Sequence, residues 1–104
     1  MGILVICSYR PKPGREEDAR LLMDAHLPLL RRHGLVTARP GVSGIGKDGA
    51  LVEVFEWESE EKSRSAPAFP EIGNHWKKMA DAMDFVGLAS LPETQTPFAH
   101  FMPL

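Results

Sequence analysis

The chain has 104 residues, of which 43% are hydrophobic and 25% charged, with a formal net charge of -2; this is the size and balance of one soluble globular domain. Such a charge gives no electrostatic reason to expect nucleic acid or an anionic membrane as a partner. The single cysteine, Cys7, excludes an intrachain disulfide and fits a reducing cytoplasm, and the apolar run Ile3 to Cys7 is too short for a signal peptide or a membrane span.

Ile3 to Arg10 reads as a first strand, β-branched at Ile3, Val5 and Ile6 and ended by Pro11 and Pro13. Pro11-Lys12-Pro13-Gly14 is a turn. The next segment, Glu16 to His33, has the marks of a helix. Its first turn is acidic (Glu16, Glu17, Asp18), its last is basic (Arg31, Arg32), and Gly34 follows as a C′ residue. Ala19, Leu22, His26, Leu29 and Leu30 form its apolar stripe, and Pro28 is expected to bend it.

Arg39 to Gly46 is a weak, glycine-rich strand, expected at a sheet edge. Asp48-Gly49 then signals a hairpin into the strongest strand, Ala50 to Glu58. In that strand Leu51, Glu53, Phe55 and Trp57 point one way and Val52, Val54 and Glu56 the other. The Val52 and Val54 face is expected to pack on the helices, leaving the other for a partner. Ser59 before Glu60 and Glu61 starts a helix that Pro67 and Pro70 interrupt; it resumes over Glu71 to Met83 with Ile72, Trp76 and Met79 inward. Phe85 to Leu91 reads as a fourth strand. Residues 92–104 read as a loop and C-terminal extension of the single domain 1–104.

The order β-α-β-β-α-β predicts an α+β, ferredoxin-like fold, an antiparallel sheet with two helices on one face. Its other face, also apolar, needs cover, and a second copy of the chain is the simplest source.

Tyr9-Arg10-Pro11-Lys12-Pro13-Gly14, the acidic helix start, Phe55-Glu56-Trp57-Glu58-Ser59-Glu60-Glu61, Pro70-Glu71 and Trp76 together resemble the dimeric α+β barrel superfamily. The similarity is to the antibiotic biosynthesis monooxygenase-like group, with the stress-responsive barrel proteins as relatives. It covers about residues 3 to 92. The resemblance implies a homodimer packed sheet to sheet, with a pocket between sheet and helices or within the barrel. It admits several activities, among them cofactor-free oxygenation of polyketide-like aromatics and haem degradation, and many members have none known. The haem-degrading branch carries an asparagine on the first strand and a histidine early in the second helix. Tyr9 and Pro67 stand there in this chain, so no haem and no other cofactor is expected.

Three residues are candidates for catalysis. His26 lies within the apolar stripe, as a general base or as a core histidine bonded to a carbonyl or carboxylate. Glu53, between Leu51 and Phe55, is a polar anchor or base, or the ion-pair partner of Arg39 or Arg10; a buried carboxylate needs some partner. Tyr9 ends the first strand on a matching face. Phe55, Trp57, His75 and Trp76 are the expected ligand-pocket residues. No metal site is expected, because His26 and His33 stand about 10 Å apart along one helix and no cysteine pair exists. Two functions follow: a cofactor-independent monooxygenase-like enzyme on a small aromatic molecule, or a non-catalytic homodimer that binds a small apolar ligand or serves as a stress-related accessory protein.

Overall fold

The computed structural model describes residues 2–104. Within them run β1 (Ile3–Pro11), α1 (Glu16–Arg32), β2 (Val42–Ile45), β3 (Leu51–Trp57), α2 (Glu60–Ser65), α3 (Pro70–Ala82), β4 (Met83–Val86) and β5 (Met102–Pro103). Single 3-10 turns occupy Ala66–Ala68, Leu88–Ser90 and Pro92–Gln95. The architecture is α+β. One open antiparallel sheet has the order β4-β1-β3-β2-β5, and its first four members are in an order compatible with the ferredoxin-like arrangement. No helix among the described residues is long and apolar enough to cross a membrane.

Local signals fix several boundaries. At the end of α1 the Leu35 amide reaches the Leu30 carbonyl and the Gly34 amide reaches that of Arg31. Gly34 takes a φ of +68°. This is a Schellman closure, in which glycine accepts the left-handed conformation that a Cβ would oppose. Leu30 and Leu35 pack in one cluster as its hydrophobic contact. The helix passes through Pro28 without ending. Ser59 caps α2 by accepting from the Lys62 amide at 3.1 Å. The β2–β3 hairpin turns where Asp48-Gly49 predicts, with Gly49 at φ +87°.

Strand register decides which residues share a face. Ile3, Val5, Cys7 and Tyr9 stand opposite Trp57, Phe55, Glu53 and Leu51. This is the face that packs on the helices: Phe55 and Trp57 join Leu29, Leu30 and Ile72, while Tyr9 and Leu51 join Ala19, Met23 and Met79. The expectation that Val52 and Val54 meet the helices is therefore reversed. Alternation reveals two faces without saying which is covered. The aromatic face wins because it buries far more apolar area per residue than two valines do.

The opposite face is covered at one end only. After β4 the chain folds back across it, and Leu91, Leu88 and Phe101 pack on Ala50, Val52 and Val86. Phe85 to Leu91 is thus not one strand; β4 already begins at Met83 and stops at Val86, because the following residues serve as this partial cover. Leu4, Ile6 and Val42 at the other end remain exposed. Nor is β2 the sheet edge, since β5 pairs along its outer side at Gly44 and Ile45.

Leu30 has no solvent exposure and closes both the core and the α1 terminus. Leu30→Ala is expected to lower unfolding free energy by about 2–5 kcal/mol, measured by urea denaturation. A loss below about 1 kcal/mol would contradict this placement.

Candidate functional site

Four of the residues singled out in the sequence meet in one hydrogen-bonded chain. Tyr9 comes from β1, His26 from the middle of α1, Glu53 from β3 and Trp76 from α3. The Tyr9 hydroxyl donates to Glu53 Oε1 at 2.5 Å, and His26 Nδ1 lies 2.6 Å from the same oxygen. The Trp76 indole N–H donates to His26 Nε2 at 2.8 Å. Glu53, His26 and Tyr9 are 5%, 3% and 6% exposed, so these contacts stand in place of water.

Directionality fixes the protons. An indole N–H only donates, so His26 Nε2 carries no hydrogen. The imidazole proton then sits on Nδ1 and is donated to Glu53. With two donors on Oε1, Glu53 is an acceptor there, as an ionised carboxylate is. Neither Arg39 nor Arg10 reaches it. Arg39 pairs with Glu56 at 3.1 Å and Arg10 with Asp48 at 2.7 Å. The two readings of His26, base or bonded core residue, are thus joined: it is bonded on both nitrogens, and its carboxylate partner is Glu53.

Beside this chain lies a cavity of about 350 Å³, within the range of small-molecule sites. Tyr9, His26, Phe55, Trp57, Trp76 and Phe85 line it, with Cys7 and Met79. It sits against the part of β1 that β4, which pairs only from Ser8 to Pro11, does not reach. The ring centroids of Phe55 and Trp57 are 5.3 Å apart, and those of Tyr9 and Phe85 are 5.5 Å apart, both in edge-to-face contact.

Of the expected pocket residues, Phe55, Trp57 and Trp76 line this cavity. His75 does not. Its Nε2 donates to the Leu22 carbonyl at 2.9 Å, and its ring lies nearly parallel to His26 at 6.1 Å. It supports the histidine from behind. Phe85 and Cys7 are wall residues that the sequence reading left out. The signal was present for Cys7, which alternates with Tyr9 on one face. For Phe85 it was not, because its register against Tyr9 depends on where β4 begins. No family model matches the chain, and neither a curated protein nor a solved structure matches it.

Burial, and after it the Glu53 carboxylate, pushes the Cys7 thiol from 9.0 up to about 11. The same two causes raise the Tyr9 phenol above its ordinary value. Both groups keep their protons in the folded chain at a pH where the unfolded chain releases them. Their contribution to stability is full below pH 9 and is lost as pH rises towards 11 and beyond. Urea midpoints are expected to fall over that range. Tyr9→Phe should lower stability at neutral pH by about 1.5–3 kcal/mol, the worth of a hydrogen bond to a charged group, and make the alkaline decline shallower. A wild-type midpoint that stays level from pH 8 to pH 11 would contradict this arrangement.

Proposed function

We propose that the chain works as a homodimer of the dimeric α+β barrel kind, in the cytoplasm, and that its cavity is the active site of a cofactor-independent, monooxygenase-like enzyme acting on a small aromatic molecule. One observation carries the catalytic part: an imidazole oriented by a buried carboxylate at Nδ1, with Nε2 turned to the neighbour that shares its cavity. This is the orienter–base relation of general-base sites. Glu53 favours the imidazolium that forms when His26 takes a proton. Tyr9 holds Glu53 in place from the other side.

The chemistry needs a substrate with an acidified C–H or O–H. His26 Nε2 takes the proton once the Trp76 indole has turned away from it. The carbanion gives its electrons to dioxygen, which is the oxidant. For a CH2 beside a carbonyl or phenol the net change is CH2 + O2 → C=O + H2O, and His26 returns its proton to the departing oxygen. The protein contributes a base, orientation and a largely apolar cleft.

The homodimer rests on the uncovered sheet face. Leu4, Ile6 and Val42 are 63%, 50% and 65% exposed and stand together with Val54 on adjacent strands. An apolar patch of this kind on an ordered sheet marks an interface, and a second copy brings an identical patch. A different reading, a non-catalytic ligand-binding homodimer, has its own support. The Trp76 N–H already occupies the one nitrogen that a base would use.

Oxygen uptake with a panel of phenols and 1,3-diketones separates the two. The enzyme reading expects consumption with at least one of them, and a loss of about 10²–10⁴-fold in kcat/KM for His26→Gln. Saturable binding without oxygen uptake would leave the ligand-binding reading in its place. For the dimer, light scattering should give twice 11.5 kDa, and Ile6→Glu combined with Val42→Glu should halve it. A wild-type mass of 11.5 kDa at micromolar concentration would overturn the homodimer.

A further inference from the structure

The proton assignment leaves a charge unanswered. Trp76 holds His26 neutral, and Tyr9 donates as a neutral phenol, so Glu53 is a carboxylate whose hydrogen-bond partners are both uncharged. Glu53 makes no ion pair with any lysine or arginine among the described residues, and the basic side chains Arg10, Arg39 and Arg32 are bound to Asp48, Glu56 and Glu71. On its far side Glu53 borders a second pocket with Asp24 and Arg31, two groups of opposite sign. Arg31 is turned to the Arg39 carbonyl at 2.9 Å. The two donors make a carboxylate 5% exposed tolerable, but they leave its negative charge in place, and a positive charge brought near would stabilise it further.

The walls of the main cavity add a second, independent observation. None of its lining residues is an aspartate, glutamate, lysine or arginine, and five of them present phenyl, phenol or indole rings: Tyr9, Phe55, Trp57, Trp76 and Phe85. Aromatic faces attract cations through their quadrupole. The two groups that separate Glu53 from the cavity, Tyr9 and His26, are its own hydrogen-bond donors, and donation to a carboxylate polarises them so that negative potential reaches the cavity wall. In a largely apolar cleft that potential is less screened than in bulk water. An anionic ligand would meet that potential with no lysine or arginine in the lining to answer it.

We infer that the ligand of this cavity is an organic cation: an amine or quaternary ammonium group on a compact or flat apolar body. Its apolar part packs on the rings, and its positive charge answers the carboxylate of Glu53 through Tyr9 and His26. The inference rests on the cavity reading proposed above and not on proton transfer, and among the phenols and diketones of that reading it favours those that also bear an amine.

Choline and 3,3-dimethylbutan-1-ol have nearly the same shape and differ in charge, so they test this directly. Titrations of the full chain, followed by calorimetry and by the indole N–H resonances of Trp57 and Trp76, should show choline bound at least about tenfold more tightly than the alcohol, a difference of about 1.4 kcal/mol. In Glu53→Gln, which keeps an acceptor oxygen for Tyr9 and His26, the ratio should fall towards one, provided its circular dichroism and thermal transition show a folded chain. The wild-type comparison decides the matter even if that variant does not fold. Equal binding of the two probes to wild type, or a ratio that survives in folded Glu53→Gln, would overturn the cation inference and leave the cavity reading standing. Binding of neither probe would also overturn the cation inference, and saturable binding of a phenol in the same titration would show that the cavity reading survives it.

Discussion

A carboxylate buried on the helix-facing side of a central strand constrains this molecule. Glu53 is placed among Leu51, Phe55 and Trp57, where a charge is tolerated only with donors at hand. Tyr9 and His26 supply them from β1 and α1, and Trp76 fixes the histidine from α3. Four elements are thereby pinned to one point of the core. The register of β1 against β3, the rotation of α1 about its axis and the position of α3 all have to be right together for the chain of donors to close. A hydrophobic core alone would tolerate small slips in each; a hydrogen-bonded chain with a fixed direction does not.

The same constraint explains which parts were legible in the sequence. Ile3 to Pro11, Glu16 to Arg32 and Leu51 to Trp57 follow strong periodic patterns with plain start and stop signals, and they form nearly as those signals say. Alternation in Leu51 to Trp57 identified the members of each face. It could not tell which face the helices take, because both are apolar at one end. Glu53 signals only that a carboxylate buried on its side needs a partner. What makes that burial tolerable is contributed by residues 44 and 27 positions away, and no spacing rule within a single element carries that information. The Trp76 bond to His26 spans 50 positions and was illegible for the same reason, although both residues stood on the apolar stripes of their helices. The boundary of β4 was missed for a different cause. Met83 caps α3 in an extended conformation, so helix passes into strand with no loop residues to mark the change.

The site has a division of labour along one line. At one end are the rings that shape the cavity, in the middle the imidazole, and at the far end the carboxylate. Cys7 belongs to the wall as a protonated thiol, its acidity suppressed by burial and by Glu53, so it adds volume and softness and no nucleophile at neutral pH. His75 backs His26 through near-parallel rings and through its bond to the α1 backbone. It joins α1 to α3 at the level of the site, much as Arg32 and His33 join them further along through Glu71.

The tail gives the sheet an outer strand of two residues, one of them Pro103, which has no N–H to offer a further strand. Open sheets can recruit other chains along an edge, strand upon strand, or flat against a face. On the β2 side the first route ends at a proline, and growth there has nothing regular to copy. The uncovered end around Leu4, Ile6 and Val42 is the surface on which the proposed pairing rests. Contact between like faces about a two-fold axis is used up when two chains have met, whereas edge addition has no natural stopping point. Two residues at the margin of the fold therefore withhold a regular template for open-ended growth on the β2 side of the sheet.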